Sequence, residues 1–224
     1  MPDISRSDFL APILLSLKVS VFSSIIVFLL GLYVAWIMTK KRIRFKSLLE
    51  TVFLLPLVLP PTVVGFILLV ILGRKSWVGQ TVERLFDTSI IFTWWAAILA
   101  AVVVSFPLVY QSLKTGLASI ERELEDSARS LGASEWQVLI YISIPLAWRS
   151  LIAAYVLGFA RGLGEFGATL MVAGNIPNKT QTIPTAIYFA VDAGKLTLAG
   201  WWTGATILIS FLLLFVTNSL KAKH

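Results

Sequence analysis

Read along its length, the chain alternates long apolar runs with short polar stretches. The apolar runs cover residues 10–38, 48–72, 90–113, 146–170 and 199–218, each long enough to cross a hydrocarbon core of about 30 Å as a helix. This pattern predicts an all-α, polytopic membrane helix bundle of five transmembrane helices in a single domain over residues 1–224. The first run reads as a retained helix, because Asp3, Arg6 and Asp8 do not make the positive leader of a cleaved signal. The second contains Pro56, Pro60 and Pro61, and a proline pair interrupts the backbone ladder, so a kinked or discontinuous helix is predicted there. Two readings of that break stand. It lines a path through the membrane, or Pro61 simply opens a helix after an interfacial segment.

Residues 117–145 depart from the apolar pattern. Leu113, Leu117, Ile120, Leu124, Ala128 and Leu131 recur at helical spacing and predict one amphipathic stripe, with Glu121, Arg122, Glu125 and Arg129 facing away from it. Gly132 falls where a helix end needs positive φ, Ser134 with Gln137 fits a capping box for a second short helix, and Pro145 marks its end. Two helices joined by a glycine turn between membrane spans make a peg that a soluble partner can grip.

Composition changes the picture little. Of 224 residues, 57% are hydrophobic and 14% charged, and the mean hydropathy is +0.85, as for a protein immersed in lipid. The net charge of +7 does not call for nucleic acid, since the basic residues cluster beside the apolar runs as orientation signals. Lys40, Lys41, Arg42, Arg44 and Lys46 follow the first run, Lys114, Arg122, Arg129 and Arg149 surround the peg, and Lys221 and Lys223 close the chain. These predict a cytoplasmic peg and C-terminus with the N-terminus outside, and Trp94, Trp95, Trp201 and Trp202 suit the outer interface. Lys18, inside the first run, either snorkels to the near interface or belongs to a pathway. There is no cysteine, the one histidine is His224, and no metal site is predicted.

Gly162, Gly164 and Gly167 satisfy G-x-G-x-x-G, yet they lie in an apolar helical run with no strand before it, so no dinucleotide site is predicted. Ala154, Gly158 and Gly162 instead form a small-residue seam, within the subunit or across a dimer. Arg161 and Glu165 are one turn apart and can neutralise each other inside the membrane, either as a structural pair or as the latch of a gate. Between 171 and 198, Asn175, Pro177 and Asn178 signal turns and Thr182 with Pro184 opens a short helix through Val191. This outer segment, with Lys179, reads as a docking surface for a substrate-delivering protein or as a cap on the bundle. Gly73, Arg74, Lys75 and Ser76 lack the spacing of a phosphate-binding loop, and no catalytic constellation is present, so hydrolysis within this chain is not predicted.

The peg resembles the cytoplasmic coupling loop of ABC importer permeases, whose E-A-A, three residues, G, nine residues, I-x-L-P pattern falls here on Asp126, Ser127, Ala128, Gly132, Ile142, Ile144 and Pro145, with Glu125 a second acid just before it. LLSLKVS at 14–20, LPLVLPPTVVGFILLVILGR at 55–74 and GLGEFGATLMVAGNIPNKTQTIP at 162–184 are similar to the molybdate branch. The resemblance implies a homodimer in the bacterial or archaeal cytoplasmic (inner) membrane, two cytoplasmic ATPase subunits and an external oxyanion-binding protein. This chain would bind no cofactor, ATP and Mg being used by the ATPase. It also implies a translocation pathway or gate among Pro60, Pro61, Arg161, Glu165 and Thr169, and binding-protein docking at Asn175, Pro177 and Lys179. Tungstate and sulfate, also tetrahedral dianions, are the alternative cargoes, and a self-contained ion-coupled carrier or channel is the rival from another class.

Overall fold

The computed structural model describes residues 6–40 and 43–222; Asp3, Lys41, Arg42, Lys223, His224 and the side chain of Lys221 lie outside the described residues. In chain order the helices are α1 (Arg6–Lys40), α2 (Lys46–Val58), α3 (Pro61–Leu72), α4 (Trp77–Phe86), α5 (Trp94–Ala118), α6 (Arg122–Ser130), α7 (Glu135–Val138), a π-helical turn (Leu139–Ser143), α8 (Ile144–Leu146), α9 (Trp148–Leu163), α10 (Gly167–Ala173), α11 (Ile183–Asp192) and α12 (Leu196–Ala222). The chain is all-α, with no strand among the described residues. Among the described residues three helices, α1, α5 and α12 over Leu196–Phe215, are individually long and apolar enough to cross a membrane; counting each of two bent pairs as one span gives up to five.

The core is the three-way packing of α1, α5 and α9, and small residues make it possible. A Cβ at Gly158 would come to 3.0 Å from Val109 and 3.2 Å from Val27, and one at Gly162 to 2.9 Å from the Ser23 hydroxyl, so α9 lies almost backbone-to-backbone on α1. The small-residue seam therefore packs within the subunit. On α1 the facing positions are Ser16, Ser20, Ser23, Ser24, Val27, Gly31 and Ala35, all buried. Ser20, Ser23 and Ser24 donate their hydroxyls to their own helix's carbonyls, which removes the cost of burying them. Gly31 faces Val109 and Leu113 while Lys18 faces Trp94, so α1 and α5 run in the same direction. The Lys18 ammonium lies 3.6 Å from the centroid of the Trp94 ring, a cation–π contact at the start of α5.

Two membrane runs are interrupted. Between α2 and α3 the chain turns through 113° at Leu59 and Pro60, with Pro61 as the first helical residue of α3. The run predicted as a continuous span over 146–170 is broken as well, because α9 ends at Leu163 and α10 begins at Gly167. The two breaks are neighbours: a Cβ on Gly167 would meet Pro61 and Thr62 at 3.2 and 3.3 Å, and one on Gly65 would meet Ala168 and Met171 at 2.8 Å. Residues 73–89, the polar stretch between the second and third apolar runs, contain α4, started by the Ser76 hydroxyl accepting from the Gly79 N–H at 2.8 Å.

The single stripe predicted over 113–131 is also corrected. Helix α5 ends at Ala118 and α6 starts at Arg122, so Leu113 and Leu117 enter the core whereas Leu124 and Leu131 are exposed. Glu125 does not face away from the body but into it, for it has charged partners there. Pro145 lies one residue before the end of its helix, which stops at Leu146 ahead of an 82° bend, and Ile144 N–H donates to the Leu139 carbonyl in the wide π-turn just before it.

Candidate functional site

The peg is built by local signals and then fastened by charge. Gly132 has φ of +90° and nothing near its missing Cβ, so glycine is needed for backbone conformation and not for space. Ala133 N–H returns to the Ala128 carbonyl at 3.1 Å, closing α6 in the manner of a Schellman motif. The capping box forms as predicted, with Ser134 N–H donating to Gln137 Oε1 at 2.8 Å and the Gln137 N–H to Ser134 Oγ at 3.4 Å. Arg129 clamps the two helices together: its Nε is 2.6 Å from Glu135 Oε1 and its Nη1 2.6 Å from Asp126 Oδ1. These hydrogen bonds hold the Glu135 carboxyl below the usual carboxylate range and push the Arg129 guanidinium further up.

The two acids of the motif differ in placement. Asp126 is 67% exposed and, among the described residues, pairs only with Arg129, whereas Glu125 is 2% exposed. Glu125 pairs with Lys40 at the end of α1, accepts the Ser143 hydroxyl at 2.9 Å from the π-turn, and lies 3.6 Å from Arg129 Nη2. Ser127 returns its hydroxyl to Glu123, Ala128 and Ile142 are half-buried, and Pro145 is exposed. Leu124, Trp136 and Tyr141 are exposed, and Leu131 is 90% exposed. The peg thus buries one carboxylate, Glu125, against the body and leaves apolar side chains outward among its exposed charges, the arrangement of a surface awaiting a partner. A second charge pair joins α2 to α5, with Lys114 Nζ 2.6 Å and Tyr110 Oη 3.3 Å from Glu50 Oε1. Sequence reading missed Lys40 and Glu50 because their partners are far along the chain.

At the paired breaks, Arg161 Nη1 lies 2.7 Å from Glu165 Oε2, and Glu165 is 2% exposed. Its other oxygen accepts the Ala168 N–H at 2.8 Å. Glu165 therefore does two things, neutralising Arg161 and capping α10, which would otherwise leave a backbone donor unpaired away from water. Pro60 and Pro61 are exposed on the protomer beside this cap, and Thr169 is buried one turn into α10.

Residues 175–180 form a tight turn at the opposite end of α1. Ile176 N–H donates to Thr180 Oγ1 at 3.0 Å, and Asn178, with φ of 61°, donates to Asp8 Oδ1 at 3.2 Å. Pro177 and Lys179 are exposed there, while Asn175 is half-buried. The predicted short helix is α11, anchored where the Ile183 N–H donates to Ser16 Oγ at 2.7 Å. Trp202 is buried, unlike an interfacial belt residue, donating to the Phe9 carbonyl at 3.0 Å and stacking on the Phe9 ring. Since α1 is 35 residues long, about 50 Å at the helical rise, the peg and this turn lie on opposite faces of any membrane the bundle crosses.

Residues 27–222 match the family described as binding-protein-dependent transport system inner membrane component. The chain is 52% identical over 218 residues to the putative molybdenum transport system permease protein YvgM of Bacillus subtilis, covering 97% of this chain and 96% of that one. It is 44% identical to the molybdenum transport system permease protein ModB of Escherichia coli, over 80% of this chain and 79% of that one. A more distant relative, at 30% identity over 93% of this chain and 78% of its own, is the probable sulfate transport system permease protein cysT of Chlorella vulgaris. Among solved structures, a chain of a bacterial ABC transporter involved in alginate import shares the fold with a TM-score of 0.78 at 14% identity, over 98% of this chain and 80% of that one.

Proposed function

The chain belongs to the family of binding-protein-dependent transport system inner membrane components, and from that premise we propose that it is the permease subunit of an ATP-driven ABC importer for molybdate. The peg carries the role, for it is a charge-fastened pair of helices that leaves Leu124, Leu131, Trp136 and Tyr141 exposed outside the apolar spans. Similarity to molybdenum permeases over 97% and 80% of this chain supports the cargo. Sulfate is the second reading, favoured by the similarity to a sulfate permease, and tungstate shares the same tetrahedral dianionic form.

In this reading two copies form a homodimer in the cytoplasmic (inner) membrane, with five spans each, the N-terminus outside and the peg and C-terminus in the cytoplasm. Each peg, through residues 125–128, Gly132, Ile142 and Pro145, seats in one of two separate ATPase subunits, which use ATP and Mg; this chain holds no cofactor and hydrolyses nothing. ATP-driven closure of the ATPases draws the pegs together and rocks the bundles between inward-facing and outward-facing forms. An external oxyanion-binding protein docks at the turn bearing Asn175, Pro177 and Lys179 and releases the anion into the opened cavity. The paired breaks at Pro60–Pro61 and Gly164–Phe166 serve as the deformable part of the pathway, with Arg161, Glu165 and Thr169 beside it.

The test is hydrolysis by the reconstituted complex. Binding protein loaded with molybdate should stimulate ATP hydrolysis more than binding protein offered sulfate. Greater stimulation with sulfate moves the cargo assignment to sulfate, equal stimulation removes the preference for molybdate, and failure of the chain to retain an ATPase overturns the role.

A further inference from the structure

We propose that Lys40 is a positioning residue for the peg: by pairing with Glu125 it ties α6 to the end of α1, so that peg movement reaches α1 directly rather than only through the helices joined to the peg in sequence. The proposal rests on the permease reading above.

The peg's covalent connections are poor levers. It leaves α5 through the bend at 119–121, and it joins α9 after a π-turn and a bend of 82° at Ala147. Wide helical turns and interrupted ladders give way before packed helices do. Helix α1 is not adjacent to the peg in sequence, yet it touches the peg twice at its last turns. Trp36 meets Trp136 edge-on with ring centroids 5.8 Å apart, and Lys40 meets Glu125. Trp36 and Lys40 of α1 and Glu125, Arg122 and Arg129 of the peg line a cleft of about 1000 Å³ between the two.

Charge decides which contact matters. A carboxylate as buried as Glu125 must be neutralised, and the other cation paired with it among the described residues, Arg129, is committed to Asp126 and Glu135 and stands off at 3.6 Å. Lys40 therefore supplies the counter-charge, and Ser143 completes the site by hydrogen bonding, so one buried carboxylate joins α1, α6 and the π-turn. Helix α1 is also the helix whose opposite end holds Asn178 through Asp8 and Trp202 through Phe9. A rigid element thus contacts both the peg and the turn on the far face of the membrane, the physical requirement for carrying motion between them.

The experiment compares native chain, Lys40→Met, Lys40→Arg, Lys40→Glu alone and the reversed pair Lys40→Glu with Glu125→Lys, each reconstituted in liposomes with the ATPase and binding protein. Molybdate uptake, ATP hydrolysis and ATPase retention are measured together. Native chain that takes up no molybdate with ATP overturns the permease reading, and this is known before any variant is assayed. Given native uptake, Lys40→Met should retain the ATPase and hydrolyse ATP while uptake per ATP falls by roughly two- to thirtyfold, the range that residues in a coupling network command. Lys40→Arg and the reversed pair should recover most of it. Native uptake per ATP in Lys40→Met overturns the proposal, as does loss of the ATPase with an unchanged uptake per ATP. Should Lys40→Met not accumulate, the reversed pair decides: recovery of uptake per ATP relative to Lys40→Glu alone supports the proposal, and no recovery overturns it.

Discussion

At the scale of single residues, the buried carboxylate at the paired breaks is explained by the backbone it serves. Glu165 caps α10 with one oxygen and meets Arg161 with the other, so the i, i+4 spacing that made the pair legible in sequence reveals only half of its work. Arg161→Gln alone leaves a buried carboxylate without its cation and should cost about 3–5 kcal/mol, read as loss of thermal stability in detergent. The double change with Glu165→Gln keeps an amide oxygen to cap α10 and should sit close to native; a double variant as unstable as the single one would contradict the pairing. If the pair also latches a gate, the double variant will fold yet hydrolyse ATP without substrate. Gly132 makes a simpler case. Valine at φ of +90° should cost about 1–2 kcal/mol and loosen ATPase retention without harming insertion, while asparagine, tolerant of that region, should do less. Equal, native retention in both would remove Gly132 as the determining turn. Glu125 lay beyond sequence reading, since nothing in ELEDSA says which acid turns inward until Lys40, far back in the chain, is in place.

Among elements, legibility followed how strongly a residue constrains its own backbone. Pro60 and Pro61 announced the break after α2 because proline cannot keep the ladder whole. Gly164 and Gly167 gave no such notice, since glycine is as much at home in a packed membrane helix as at its end, and the break there depends on α3 being packed alongside. Likewise the spacing from Leu113 to Leu131 satisfied one helix period, yet the chain bends after Ala118 because Leu117 is drawn into the core while α6 follows Glu125 towards Lys40. The α3–α10 contact can be tested directly. Gly65→Leu drives side-chain atoms into Ala168 and Met171 and should destabilise the bundle by roughly 1–3 kcal/mol or more, seen as a lower melting temperature. Gly200→Leu, where a Cβ meets nothing within 4 Å, is the matched control, and a Gly65 variant no less stable than this control would mean that the two short helices are not packed as described.

For the whole molecule, α1 sets the frame, with the peg at one end and the 175–180 turn at the other. Because the native chain has no cysteine, single cysteines at Leu131 and Lys179 report cleanly on sidedness. In intact cells an impermeant thiol reagent should label Lys179→Cys and spare Leu131→Cys; labelling of both, or the reverse, would overturn the orientation. The central claim is that this chain moves its anion only when a separate ATPase grips the peg. Molybdate uptake into liposomes tests it most directly, with the chain alone or with ATPase and binding protein, each with and without ATP. The account predicts uptake only when all components and ATP are present. Uptake by the chain alone, or uptake indifferent to ATP, would contradict it and identify a self-contained carrier or channel.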